Sequence, residues 1–151
     1  MTFVTYQFST ASAIDSALIR WGTWSEYSHV DIVMPDGNLL GARLHQGVQV
    51  RPPNYAKFSK SLRMSVAMND REAQRFYEAA RSQVGKPYDW KAILGFAVRR
   101  DWQDEGQWFC SELALWCAMQ AGLRMLNLDR IDRCSPETLL LSPLLIPERS
   151  A

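Results

Sequence analysis

"WFCSELALWC", residues 108–117, holds two cysteines seven positions apart in an apolar run, with a serine and a glutamate directly after the first. Extended to Leu123, the segment "FCSELALWCAMQAGL" is apolar on nearly every side of a helical projection, which predicts a helix buried in the middle of the fold. The polar stretch "DWQDEGQ" ends just before it, so Cys110 falls in the first helical turn. Unpaired backbone N–H groups and about half a positive charge favour an anion there. A thiolate in that position is stabilised and becomes a nucleophile at neutral pH. The competing account is that Cys110 is a small buried hydrophobe, since free cysteine is among the most buried residue types. That account serves Cys117 and Cys134, whose surroundings argue for nothing else.

Upstream of this helix the pattern is mostly that of strands. "FVTYQF" (Phe3 to Phe8) reads as a first strand, and Ser12 with Asp15 opens a short helix "AIDSALIRW". "SHVDIVM" alternates, with Val30, Ile32 and Met34 on one face and His29, Asp31 and Val33 on the other. "PDGN" then signals a hairpin turn, and "LLGARLHQGVQVR" supplies return strands broken by glycines. "SLRMSVAM" alternates as a further strand. Asn69 and Glu72 form a capping box for the helix "DREAQRFYEAARSQV", whose Ala73, Phe76, Ala80 and Val84 make an apolar stripe ended by Gly85 and Pro87. "YDWKAILGFAVRR" predicts another helix. Ser135 as N-cap and Pro136 at the first position open a short closing helix ended by Pro143. The order of strands first and helices after predicts an α+β fold, a small antiparallel sheet packed against helices.

Composition bounds what such a fold does. At 151 residues the chain matches one domain, read here as 1–151. A formal net charge of +1 lacks the basic bias of nucleic-acid binding. No apolar run reaches the roughly 18–20 residues of a membrane span, and "MTFVTYQFST" lacks the features of a signal peptide, so a cytoplasmic protein is expected. Cys110 and Cys117 would stand about 10 Å apart along the helix, too far for a disulfide. With His29 and His45 as the only histidines, the cysteine spacing matches no zinc pattern, and neither metal nor cofactor is expected.

A nucleophilic cysteine needs a base, and two histidines are available. His29 is the better placed, at the start of an alternating strand whose polar face can line a cleft. The alternative is a structural strand histidine, and spacing leaves both open.

"YSHVDIV", "VGKPYDW" and "WFCSELALW", in this order, resemble the circularly permuted NlpC-type members of the papain-like cysteine hydrolases, found in bacteria, phages and poxviruses and related to the lecithin:retinol acyltransferase-like enzymes. In the permuted group the histidine strand precedes the cysteine helix, as it does here. The resemblance spans roughly residues 3–145. "LLGARLHQGVQVRPPNYAKF" further resembles a phage and prophage subgroup. The resemblance implies a permuted papain-like fold, with Cys110 as catalytic nucleophile at a helix N-terminus and His29 as base. Glu112 is not carried over, because it points roughly 200° from Cys110 and complements the helix dipole. Tyr88 and Asp89 match a "YD" position taken as structural or cleft-lining.

Permuted relatives often carry a glutamate on the strand after the histidine, and the matching step here is Gly41-Ala42. A two-residue Asp36-Gly37 turn would pair Met34 with Leu39 and put His45 on the face away from His29. One residue more in the turn reverses that conclusion. Asp31 shares a face with His29, although i to i+2 is a stretch for orienting an imidazole; a backbone carbonyl or a water are the alternatives. Trp24, Tyr27, Tyr88, Trp90 and Trp108 are candidates for an aromatic cleft wall or for core packing.

The expected activity is hydrolysis of an amide bond in a peptidoglycan stem peptide or similar acyl substrate. The alternatives are a lipid deacylase or acyltransferase, and a non-enzymatic phage-related binding module that keeps the fold.

Overall fold

Thr2–Ala11 forms β1, and its even positions show why: Val4, Tyr6 and Phe8 are wholly buried and alternate with the polar Thr5, Gln7 and Ser9. The computed structural model describes residues 1–11, 26–43, 46–86, 109–127 and 134–148. After β1 come β2 (His29–Val33), β3 (Leu39–Arg43), β4 (Gly47–Arg51) and β5 (Phe58–Met68). Then follow α1 (Asp70–Gln83), α2 (Phe109–Gln120), α3 (Pro136–Leu140) and the two-residue β6 (Ile146–Pro147). Among the described residues the fold is α+β, with three helices and a six-stranded antiparallel sheet in the order β4-β3-β2-β1-β5-β6.

β1 lies inside the sheet, pairing with β2 (Phe8 opposite Val30, Ser9 opposite His29) and with β5 (Val4 opposite Val66). This register puts Tyr6, Phe8, Val30 and Ile32 on one face. Phe76 of α1 meets that face edge-on to Tyr6 at 5.8 Å, and the Tyr6 hydroxyl donates to Met125 Sδ just beyond α2. α2 is buried along Cys110 to Leu115 and again at Cys117 and Ala118, and one core cluster joins it to α1 and the sheet. The Arg75 guanidinium ties the two helices by donating to the Ala121 carbonyl, where Gly122 at φ 90° ends the α2 segment.

Of the three expected caps, that of Ser12 lies outside the described residues and the other two form. Asn69 and Glu72 make a reciprocal capping box on α1, and the Ser135 hydroxyl accepts from the Thr138 N–H at the start of α3. The stripe of α1 differs at its end. Val84, expected within it, leaves the helix at ψ 135° and is 41% exposed, while Gln83 takes the buried place. β6 was not foreseen; it adds Ile146 opposite Ser65 at the sheet edge, where Pro147 needs no ladder hydrogen bond.

The β2–β3 hairpin corrects the expected register. Val33, not Met34, stands opposite Leu39, and Ile32 opposite Leu40. The Met34 N–H bonds the Asn38 carbonyl and the Gly37 N–H bonds the Met34 carbonyl, so the turn is one residue longer, with Gly37 at φ 85°. The premise that turned His45 away from His29 is therefore lost, and His45 itself lies outside the described residues. So do the expected helices at 13–21 and 88–100, together with Trp24, Tyr88, Asp89, Trp90 and Trp108. Among the described residues no helix is long and apolar enough to cross a membrane.

Candidate active site

His29 opens β2 at 7% exposure. Its Nε2 donates to Asp31 Oδ1 at 2.8 Å, and the side chain of Cys110 is its second hydrogen-bonding neighbour. Two residues of β2 and a third some eighty positions on thus meet through the packing of β2 and α2. Cys110 is the second residue of α2, so the thiol stands in the first turn, as its sequence position predicts.

The contact between His29 and Asp31 is the one that sequence spacing made hard to credit. Its cause is Gly41. With the hairpin in its actual register, β3 brings Gly41 level with Asp31, and a Cβ built there would lie 2.0 Å from Asp31 Oδ1 and 3.4 Å from His29 Nε2. The absent side chain leaves the room in which the carboxylate folds back along its own strand to reach the ring. β3 offers no acid at its Gly41-Ala42 step, and the carboxylate of Asp31 on β2 fills the space beside Gly41.

The second oxygen of that carboxylate is also held. Tyr55 donates its hydroxyl to Asp31 Oδ2 at 2.8 Å, and the guanidinium groups of Arg43 and Arg51 lie 4.9 and 5.4 Å from the Tyr55 ring centre. Arg51 anchors β4 to β3 by donating to the Gly41 carbonyl at 3.2 Å. Sequence reading missed Tyr55, Arg43 and Arg51. A strand-interior glycine facing an aspartate was the available signal for a close approach.

Electrostatics follow from these contacts. Burial pushes the His29 imidazole pKa down, but the charges of Asp31 and Cys110 and the hydrogen bonds to both outweigh it and raise the value from 6.5 to about 10. Burial pushes Asp31 up, yet the His29 charge, the hydrogen bonds from His29 and Tyr55, and Arg43 hold it below its ordinary 3.8. Tyr55 is raised above its ordinary value by burial and by Asp31. The other thiols are kept protonated: burial drives Cys117 far above 9.0, and burial with the charges of Glu112 and Cys110 pushes Cys134 up to about 12.

The remaining expected site residues have other surroundings. Tyr27, a candidate cleft wall, is buried with its ring edge-on to Phe8 at 6.2 Å. Glu112 sits in the first turn of α2 but is buried at 2% exposure, close enough to Cys134 to act on it. Ser111, next to Glu112 in sequence, donates to the Cys134 carbonyl at 2.6 Å. No group of three or more His, Cys, Asp or Glu side chains among the described residues could share a metal ion.

No protein-family model matches the sequence, and comparison with curated proteins gives no match. Among solved structures the chain is similar to the crystal structure of metalloprotein yiiX from Escherichia coli O157:H7, a DUF1105 protein. The identity is 19%, with a TM-score of 0.67 over 99% of this chain and 97% of that one, a likeness that shows a shared fold.

Proposed function

We propose that this protein is a cysteine hydrolase of permuted papain-like fold that cleaves an amide bond in a peptide substrate such as a peptidoglycan stem peptide. The observation that carries the reading is one imidazole held between a carboxylate and a helix-terminal thiol. Nucleophile, base and orienting group in contact are the arrangement that thiol acyl transfer needs.

Asp31 occupies Nε2 of His29, which leaves Nδ1 for the Cys110 thiol. Cys110 Sγ, as a thiolate facing the imidazolium, attacks the acyl carbon and forms the S–C bond. The oxyanion is met by the first free N–H groups of α2, including that of Cys110. His29 then gives its proton to the amine as the C–N bond breaks, leaving a thioester. In the second half His29 takes a proton from water, the hydroxide adds to the thioester, and the C–S bond breaks to return the thiolate and a free acid. Asp31 fixes the ring plane and tautomer throughout.

An acid missing beside the histidine would weigh for the binding-module alternative; the Asp31 carboxylate held against His29 supports the hydrolase. The word metalloprotein is said of the yiiX protein. Here His29 Nε2 is committed to Asp31, and the mechanism proposed uses the thiol, the imidazole and the carboxylate.

The test is turnover of stem peptides and short acyl esters by the wild type, Cys110→Ala and His29→Ala, each with and without a chelator. Expected is chelator-insensitive turnover lost by about 10³-fold or more in both variants. Chelator-sensitive turnover that survives Cys110→Ala would overturn the reading, and turnover of esters alone would move it to a lipid deacylase or acyltransferase.

A further inference from the structure

Arg43 closes β3 on the face that carries Gly41 and, level with it, Asp31. Its guanidinium is stacked by the Tyr55 ring at 4.9 Å, which fixes the plane of its donor fork. Arg51 approaches the same ring, but its role differs. It is 8% exposed, and its donors go to the Gly41 and Gln49 carbonyls and to Gln46 Oε1. Arg43 is half-buried, and its guanidinium has neither a hydrogen bond nor an ion-pair partner among the described residues.

The charges around Arg43 do not balance. The carboxylate that its field reaches, Asp31, already accepts from His29 and Tyr55. Arg51 is close enough to be disfavoured by it as a like charge, in addition to the larger effect of burial. The His29 imidazole and two guanidiniums therefore surround the one carboxylate of Asp31, and of the two guanidiniums that of Arg43 is the one with open donors. A planar, oriented, uncommitted fork matches a carboxylate in bidentate geometry.

Building on the hydrolase reading above, we propose that Arg43 is a substrate-recognition residue, and that the peptide cleaved carries a carboxylate close to the scissile carbonyl. Arg43 sets specificity by pairing with that carboxylate, while Arg51 and Tyr55 hold it in position.

Paired alkylation reads this without a known substrate. Iodoacetate and iodoacetamide meet the same Cys110 thiolate, so the ratio of their rates cancels any change in thiol ionisation and reports the anion preference of the site. The ratio in the wild type is expected to exceed that of free cysteine and to fall about fivefold in Arg43→Met, the scale of one partly solvated charge pair. Arg43→Lys, which keeps the charge but loses the fork, is expected to lie between. N-acetylglycine should protect Cys110 from iodoacetamide in the wild type and not in Arg43→Met. Equal ratios in the wild type and in folded Arg43→Met and Arg43→Lys would overturn the proposal. Protection by inorganic phosphate but not by N-acetylglycine would overturn the carboxylate assignment and point to a phosphate-bearing substrate. If Cys110 reacts no faster than free cysteine, it is the hydrolase reading that fails, and the ratio still reports on Arg43.

Discussion

Gly41 decides the site at the scale of single residues. A strand glycine ordinarily weakens a sheet, by its greater backbone entropy and by the missing side chain. Here the missing Cβ is the space in which Asp31 Oδ1 lies. Gly41→Ala would put a carbon 2.0 Å from that oxygen, with His29 Nε2 at 3.4 Å, so the carboxylate must swing away. The expected result is a destabilisation of about 1–3 kcal/mol by urea denaturation, the usual cost of overpacking. A fall of the His29 pKa from about 10 should accompany it, followed through the imidazole proton resonances. Asp31→Asn should lower the same pKa with no overpacking, since it removes the charge and keeps the shape. An alanine at 41 that left the imidazole titration unchanged would mean that Asp31 holds the ring by another route.

The secondary elements differ in how openly the sequence declares them. β1, β2, β5, α1 and α2 follow from alternation, caps and a buried apolar run, because local pattern and tertiary burial agree there. Turn length is another matter: "PDGN" fits loops differing by one residue, and the choice rests on hydrogen bonds from Met34 and Gly37 that no local preference fixes. That single residue decided whether Gly41 faced Asp31, so Asp31 was legible as a candidate on the face of His29 while the space that lets it reach the ring was hidden. Tyr55 and Arg43 were hidden for the same reason, since long-range pairing alone brings them to Asp31. For α2 the prediction is chemical. Of its two thiols, Cys110 lies in the first turn beside an imidazole, whereas Cys117 is wholly buried two turns on. Iodoacetamide followed by peptide mapping should therefore modify Cys110 first in the folded protein, with Cys117 and Cys134 reacting at the rate of unfolding. Faster labelling of either would detach the reactive thiol from the helix terminus.

Across the whole molecule the buried pair couples folding to pH. His29 titrates at 6.5 when unfolded and at about 10 when folded, so its contribution is fully present below pH 6.5 and is lost as pH rises through 10. Asp31 moves the other way, below 3.8, so its contribution is present above that value and is lost as pH falls through the folded pKa. The two windows overlap between pH 3.8 and 6.5. There the stability difference between the wild type and Asp31→Asn, from urea midpoints, is expected to be greatest, about 3–5 kcal/mol for breaking a buried pair. It should shrink steadily toward pH 10 and again under acid. Cys117 and Cys134, raised above the ordinary 9.0 by burial, also weaken the fold at alkaline pH, but they do so in both proteins and cancel in the difference. A difference that stayed flat from pH 4 to 10 would mean that His29 and Asp31 do not share a proton-linked charge pair in the folded protein.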